Sequence, residues 1–527
     1  MPDTHRTAHD VTRRTFLTAA GLGLGGLTLA ACGGSGGATK TAGGVAGGDY
    51  AAAIRTAEAR RPHTGRPVTA ELTARTAAVA LGGPGVRTVA DGDSIPAAPV
   101  RADIGDELAV TVTNRLDRNT SVHWHGIALR NDMDGAAPAT PDITPGDRFT
   151  YRFTSPHAGT YWAHPHDGLD TDYGLYLPVI IDDPDEQTRY DAEWIVVLDD
   201  WTDGTGKSPD AILQGLRSGG MGHMGGEMSD TGDAGMGSMP GMGHGGGAGQ
   251  QDGAGSEDSL LGSDTGDVDY PYYLINGRIP AAPTTFRAAA GQRVRLRIIN
   301  AGADTAFRVA LAGHTMTITH TDGFPVQPVE ADAVLLGMGE RVDAIITVSD
   351  GVFPLVASAE GKNALARALL RTAGGTAPPA DFRPHELTGR VATVTDFTAT
   401  DQVTLAPRKP DITLPVELSG NMMDYVWKIN GRTYDNTDPL TVTEGQHARM
   451  TFSNHTMMWH PMHLHGHTFQ VLRPDGSFGP RKDTLAVLPM QSMTVDLVAD
   501  NPGSWMVHCH NGYHMDAGMM TRLEYTI

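Results

Sequence analysis

Short runs in which apolar and polar residues alternate recur along most of this chain, each separated from the next by Gly, Pro, Asn or Asp. A period of two is the signature of strands with one buried face, and many such strands between turn signals predict an all-β chain of sandwich type. No long stretch carries the 3.6-residue period of an amphipathic helix. Three of the runs share a template: ADIGDELAVTVTNRL at 102–116, AAAGQRVRLRIINAG at 288–302 and TVTEGQHARMTFSNH at 441–455. In each, a Gly followed by Asp or Gln opens the strand and an Asn closes it nine positions later: Gly105 and Asn114, Gly291 and Asn300, Gly445 and Asn454. The repeat predicts three copies of one β-domain, placed at 66–190, 191–385 and 386–527. A chain of 527 residues is also too long for a single core.

Carrying the register forward brings in chemistry. Nine residues after Asn114 stands His123, in His123-Trp124-His125-Gly126, and nine after Asn454 stands His463, in His463-Leu464-His465-Gly466. The same positions of the middle copy hold Val309 and Leu311, so that copy has lost the pair. A second match lies further along: Gly159-Thr160-Tyr161-Trp162-Ala163-His164-Pro165-His166 parallels Gly503-Ser504-Trp505-Met506-Val507-His508-Cys509-His510. One His-x-His pair is a weak signal, because on a half-exposed strand it is usually surface. Four in matching register across two copies are not.

Residues i and i+2 of a strand point the same way, so each pair aims two imidazoles at one place. Eight convergent imidazoles without ligating carboxylates suit copper, whereas the usual zinc site takes four ligands. Cys509, lying between two of these histidines, must face the other way. There the chain offers His460, His514 and Met519, and two His, a Cys thiolate and an axial Met are the blue-copper set. Copy one has Thr120 and Pro165 where His460 and Cys509 would fall, so one blue copper is expected, in the third copy.

His123-x-His125-Gly126, His164-x-His166, His460-x-x-His463-x-His465-Gly466 and His508-Cys509-His510-x-x-x-His514-x-x-x-x-Met519 together resemble the four signatures of the three-domain multicopper oxidases. The resemblance runs over about residues 66–527 with no ligand position missing. It implies three cupredoxin-like Greek-key β-sandwiches and four copper ions. His460, Cys509, His514 and Met519 would bind type 1 copper, and His123 and His463 type 2. His125, His164, His166, His465, His508 and His510 would hold the type 3 pair. It further implies that electrons enter at type 1 copper, pass through Cys509 to the cluster, and reduce dioxygen to water. Asp134 matches the family's proton-relay acid near type 2 copper, although an Asp-Gly turn explains it as well. Relatives often carry a Glu just after the last type 1 His; Met515 stands there in this chain, which leaves the second relay in doubt.

The substrate is hinted at by composition. Residues 217–257 are a Gly-rich insertion expected to form a mobile loop, and they carry Met221, Met224, Met228, Met236, Met239 and Met242. Thioethers are soft ligands that favour Cu(I), and methionine-rich insertions recur in the copper-resistance and copper-efflux branch that the chain resembles. Efflux oxidases bind substrate Cu(I) through an Asp and a Met just before the first type 1 His. Met458 matches that Met, Thr456 replaces the Asp, and Met457 reads equally well as packing.

The N-terminus reads as an address. Arg13-Arg14 resembles the twin-arginine signal and Leu29-Ala30-Ala31-Cys32 a lipobox, so residues 1–31 would direct export. Cys32 would then carry lipid on the outer face of the cytoplasmic membrane, or the chain would be released as a periplasmic or extracellular protein. Residues 32–65 are expected to act as a Gly-rich tether. The net charge of −21 argues against nucleic acid as partner. The expected protein is a monomer that takes dioxygen with Cu(I) or a small aromatic reductant. Two other readings compete: a laccase-like oxidase of phenols or aromatic amines, and a copper-storage protein without turnover.

Overall fold

The computed structural model describes residues 50–186, 188–219 and 259–526. The three template strands occupy equivalent places. Glu107–Asn114 runs parallel to Pro67–Ala80 and antiparallel to Arg148–Thr154. Arg293–Asn300 lies in the same way between Ala192–Trp201 and Arg341–Thr347, and His447–Asn454 between Ile412–Asn421 and Ser492–Val498. Each copy adds a second sheet, and residues of both sheets, such as Val110 and Val179 in the first copy, share one core. The chain is thus all-β, built as cupredoxin-like sandwiches.

The recurring Asn has a structural cause. Asn114 donates its side-chain amide to the carbonyls of Arg118 and Ile143, and its Oδ1 accepts from the N–H of Leu116. Asn300 does the same with Thr305, Leu336 and Gly302, and Asn454 with Met458, Val487 and Thr456. All three are buried. Each closes a turn onto itself and straps it to a neighbouring segment of chain, which takes an acceptor and two donors on one short side chain. Leading on from that turn, the outer copies place His123 opposite His164 and His463 opposite His508. In the middle copy Val309 and Leu311 fill the core with no accessible surface.

The N-terminal part differs from the expected tether. Tyr50–Glu58 is a helix, with Ile54 and Ala57 buried and the Tyr50 hydroxyl donating to the carbonyl of Tyr525 at 2.7 Å. An Ala-rich run favours helix, and its apolar face finds a surface to pack on, which outweighs the Gly-rich character of the preceding residues. A second helix, Pro209–Gly219, takes in the first residues of the expected insertion. It opens with Pro209 behind Ser208, whose hydroxyl accepts from the N–H of Ala211. Among the described residues no helix is long and apolar enough to cross a membrane.

Candidate metal centres

Strand register builds the Cys509 site. Ser504–Cys509 pairs with His460–Leu464 so that Met462 faces Cys509 and His463 faces His508. Alternation then sends the Cys509 side chain to the face opposite His508. Its Sγ lies 3.7 Å from His460 Nδ1 and 3.8 Å from His514 Nδ1, and these two nitrogens are 3.2 Å apart. His514 comes from the short helix Gly512–Asp516, capped by Asn511, whose Oδ1 accepts from the N–H groups of Tyr513 and His514. Met519 is fully buried, and its carbonyl accepts from the N–H of Cys509 at 3.0 Å.

The outer nitrogens of both imidazoles are held in turn. Thr456 Oγ1 lies 2.8 Å from His460 Nε2 and Asp267 Oδ2 lies 2.9 Å from His514 Nε2; the Tyr425 hydroxyl donates to the same carboxylate at 2.6 Å. Partners of this kind fix ring orientation and leave Nδ1 free to ligate. Burial opposes charge on His514, yet Asp267 and Cys509 bring it up to about 10. The pocket therefore favours positive charge between thiol and carboxylate, which a copper ion would supply.

The remaining eight histidines converge between the first and third copies. His123 Nε2 faces His463 Nε2 at 3.4 Å. His465 Nε2 and His508 Nε2 are 3.1 Å apart, with the His166 ring centred 4.6 and 4.8 Å from theirs. His164 Nε2 stands 3.4 Å from both His125 Nδ1 and His510 Nε2. Burial, followed by the neighbouring imidazoles, lowers His125 and His465 well below the usual histidine range, and His164, His166, His508 and His510 shift the same way. These surroundings favour the neutral imidazole, the state that binds metal. Groups drawn from these rings bring ligand atoms within 4.8 Å of one another, as do His460, Cys509 and His514. Ten histidines and one thiol in this arrangement fit copper: imidazole for the cluster, and His2Cys with a buried Met for the separate site.

Carboxylates hold the cluster rings from behind. Asp134 Oδ2 is 2.9 Å from His465 Nδ1 and its Oδ1 is 3.2 Å from His123 Nδ1. Asp483 Oδ1 stands 3.2 Å from His125 Nε2 and 3.5 Å from His463 Nδ1, while Arg341 of the middle copy grips the same carboxylate at 2.7 and 2.6 Å. Burial would raise Asp483, but Arg341 holds it far below the ordinary range. This ion pair explains the Gly of the first His-x-His-Gly. At Gly126 φ is +86°, and a Cβ would sit 2.2 Å from Arg341 Nη2. At Gly466 φ is +61°, and a Cβ would meet Trp505 at 2.2 Å.

A cupredoxin scaffold in which the cysteine of a two-histidine site is bonded on both sides to members of an eight-histidine cluster defines a copper oxidoreductase. Family models described as multicopper oxidase match residues 73–186, 192–375 and 407–526. Multicopper oxidase MmcO of Mycobacterium tuberculosis is 55% identical over all of both chains. Copper resistance protein A of Escherichia coli is 27% identical, over 82% of this chain and 88% of its own. Among solved structures, the laccase from Botrytis aclada matches with a TM-score of 0.68 at 23% identity, covering 89% of this chain and 90% of its own. The multicopper oxidase from Campylobacter jejuni, titled a metallo-oxidase, matches at 0.63 and 20%, covering 88% and 94%. The chain belongs to the multicopper oxidase family, and it is an enzyme that uses copper.

Of the residues singled out from the sequence, every copper-ligand candidate except Met519 stands within the two ring-and-thiol groups described, and Met519 is buried beside Cys509 through its backbone. Met458 is 2% exposed and packed in the core, whereas Met457, read as possible packing, is 66% exposed. Cys32 and Met221, Met224, Met228, Met236, Met239 and Met242 lie outside the described residues. Asp267, Thr456 in its bond to His460, Asp483 and Arg341 were not legible as site residues. Their only sequence signal is a charged or polar residue inside an otherwise strand-like run, which many surface positions share.

Proposed function

We propose that this protein is an exported cuprous oxidase of copper detoxification, carrying one type 1, one type 2 and two type 3 coppers. His460, Cys509, His514 and Met519 would hold type 1 copper, His123 and His463 type 2, and the six other cluster histidines the type 3 pair. When bound, these coppers supply one-electron acceptance at the Cys509 site and four-electron reduction of dioxygen to water at the cluster. The chain joins the two sites covalently, since the flanking residues of Cys509 are His508 and His510. Asp134, touching His123 and His465, orients both rings and is placed to pass protons to the cluster. Export by the twin-arginine route and lipid at Cys32 complete the reading; a Cys32→Ser chain released from the membrane fraction would support the anchor, and an unchanged distribution would remove it.

One observation carries the choice of Cu(I) over a phenol: both described ends of the methionine-rich stretch emerge beside the Cys509 site. On one side Arg217 donates to the carbonyl and carboxylate of Asp516, two residues past His514. On the other, Leu261 packs with Trp459, and Gly262 lies against Pro489. Three neighbouring loops at that end of the third copy's sheet, following Ile412–Asn421 and His447–Asn454 and preceding Ser492–Val498, each present an exposed thioether: Met423, Met457 and Met490. Soft ligands at the rim, with Met458 further in, suit Cu(I). Both type 1 imidazoles are buried, which leaves no ring edge for an aromatic substrate to touch.

Deleting residues 220–258 should lower kcat/KM for Cu(I) at least tenfold while leaving oxidation of a phenol within about twofold. Equal loss of both activities, or of neither, would contradict the assignment of Cu(I) and favour the laccase-like alternative.

A further inference from the structure

The turn that joins Ile412–Asn421 to Val426–Ile429 is Met422-Met423-Asp424-Tyr425. Its last residue takes φ +47°, in the left-handed region that suits Gly or Asn and strains a bulky side chain. Asn421 closes the turn, accepting from the N–H of Met423 at 2.9 Å and donating to the Asp424 carboxylate at 2.8 Å. Neither bond involves Tyr425, so the turn itself gives no reason for a tyrosine at that place. Its side chain does: Met423 at the tip is exposed, whereas Tyr425 is 1% exposed and turned inward toward the Cys509 site. The Tyr425 ring is centred 6.3 Å from that of His514, and Trp427, two residues on, is centred 4.1 Å from His514 and 5.2 Å from His460.

The Tyr425 hydroxyl donates at 2.6 Å to Asp267 Oδ2, the same oxygen that stands 2.9 Å from His514 Nε2. At the matching place His460 meets a neutral hydroxyl, that of Thr456. The two imidazoles of the site are therefore held unequally, one by a charged oxygen and one by an uncharged one. The charged oxygen is shared with a phenol.

We infer that Tyr425 sets the electron affinity of the Cys509 site by drawing charge off Asp267. This rests on the type 1 copper assignment above. A carboxylate that pulls on Nε2–H makes the imidazole a stronger electron donor through Nδ1, which favours the oxidised metal. A hydroxyl donating to the same oxygen weakens that pull and favours the reduced metal, and burial of all three groups strengthens both effects. Burial, followed by Asp267, pushes the Tyr425 hydroxyl well above the tyrosine range, so it remains a donor. Tyr425 acts through Asp267 and is a positioning residue, and the strain of its backbone is what brings the hydroxyl to that oxygen.

Redox titration of the blue absorption of the copper-loaded full chain tests this without turnover. Tyr425→Phe keeps the ring, and it should keep the copper content and the blue band. The equilibrium constant for reducing the Cys509 copper should fall about tenfold, which for one electron is about 59 mV. Asp267→Asn should shift the constant the other way, and adding Tyr425→Phe to Asp267→Asn should bring no further fall, because the hydroxyl acts through the carboxylate. An unchanged or larger constant in Tyr425→Phe, or the same tenfold fall in the Asp267→Asn background, would overturn the inference. Loss of the blue band in Tyr425→Phe would make the hydroxyl a structural requirement and overturn it as well. A wild type that is blue but oxidises no Cu(I) would remove the proposed substrate and leave Tyr425 its role, whereas a wild type without a blue band would remove both.

Discussion

Cys509 is the residue on which the two halves of the chemistry meet, because strand alternation sends its sulfur to one face and the rings of His508 and His510 to the other. Cys509→Ser should remove the intense absorption expected at about 600 nm and abolish turnover, while copper bound by the eight cluster histidines remains. Copper analysis and a visible spectrum check this; a blue variant would contradict the ligand assignment. Legibility at this scale depends on range. The His-x-His and His-Cys-His patterns were readable because i and i+2 geometry is local, but Asp267 reaches His514 across 247 residues and no local spacing encodes that. Buried acids away from the copper sites give a separate prediction. Asp91 has one oxygen without a partner, and burial, with Asp170 nearby, lifts it to about 7 from 3.8. A raised acid costs stability as pH climbs from its unfolded value through its folded one, so Asp91→Asn should stabilise by roughly 1–3 kcal/mol above pH 7 and little below pH 4. Thermal melts across that range check the sign.

The elements that matter most are the Asn-closed strands and the turns after them. Asn300 belongs to the copy whose described residues supply no ligand to the Cys509 site or the histidine cluster, and it has the same three hydrogen bonds as Asn114 and Asn454, so its role is structural alone. Asn300→Ala should cost roughly 2–4 kcal/mol, since two buried carbonyls and one N–H lose their partner, without changing the blue spectrum. Urea unfolding checks the first part and absorption the second; a stable variant would mean the repeated Asn serves another purpose. Strands and their triplication were legible because a period of two and a fixed Gly-to-Asn spacing survive in all three copies. The helix Tyr50–Glu58 was not, because its nine residues sit after a Gly-rich stretch and only its docking on Tyr525 shows that it is retained. The Pro209–Gly219 helix was hidden because it runs into the Gly- and Met-rich composition of residues 220–258.

At the scale of the whole molecule, the described residues of the middle copy supply no ligand to the Cys509 site or the histidine cluster but fasten the outer two. Arg341 holds Asp483 behind the cluster, and Asp343 accepts from Thr160 of the first copy at 2.7 Å and from Arg295. Burial opposes ionisation of Asp343, but Arg295 and Arg297 bring it down to about 2 from 3.8. The stability this gives is complete above the unfolded pKa and lost as pH falls from about 4 toward 2. Asp343→Asn should therefore flatten acid unfolding in that window, while Arg295 keeps Glu186 and Arg297 keeps Glu193, so the cost at pH 7 should be roughly 1.5–3 kcal/mol. That the cluster lies between copies one and three was legible from their matching His pairs; the clamp supplied by copy two was not, because ion pairs between distant copies leave no periodic trace. A cuprous oxidase of this design oxidises four Cu(I) ions for each dioxygen it reduces to water, and simultaneous recording of Cu(I) loss and oxygen uptake by the copper-loaded enzyme measures that stoichiometry. The expected ratio is about four with no hydrogen peroxide; a ratio near two with accumulating peroxide, or no oxygen uptake on adding Cu(I), would contradict it.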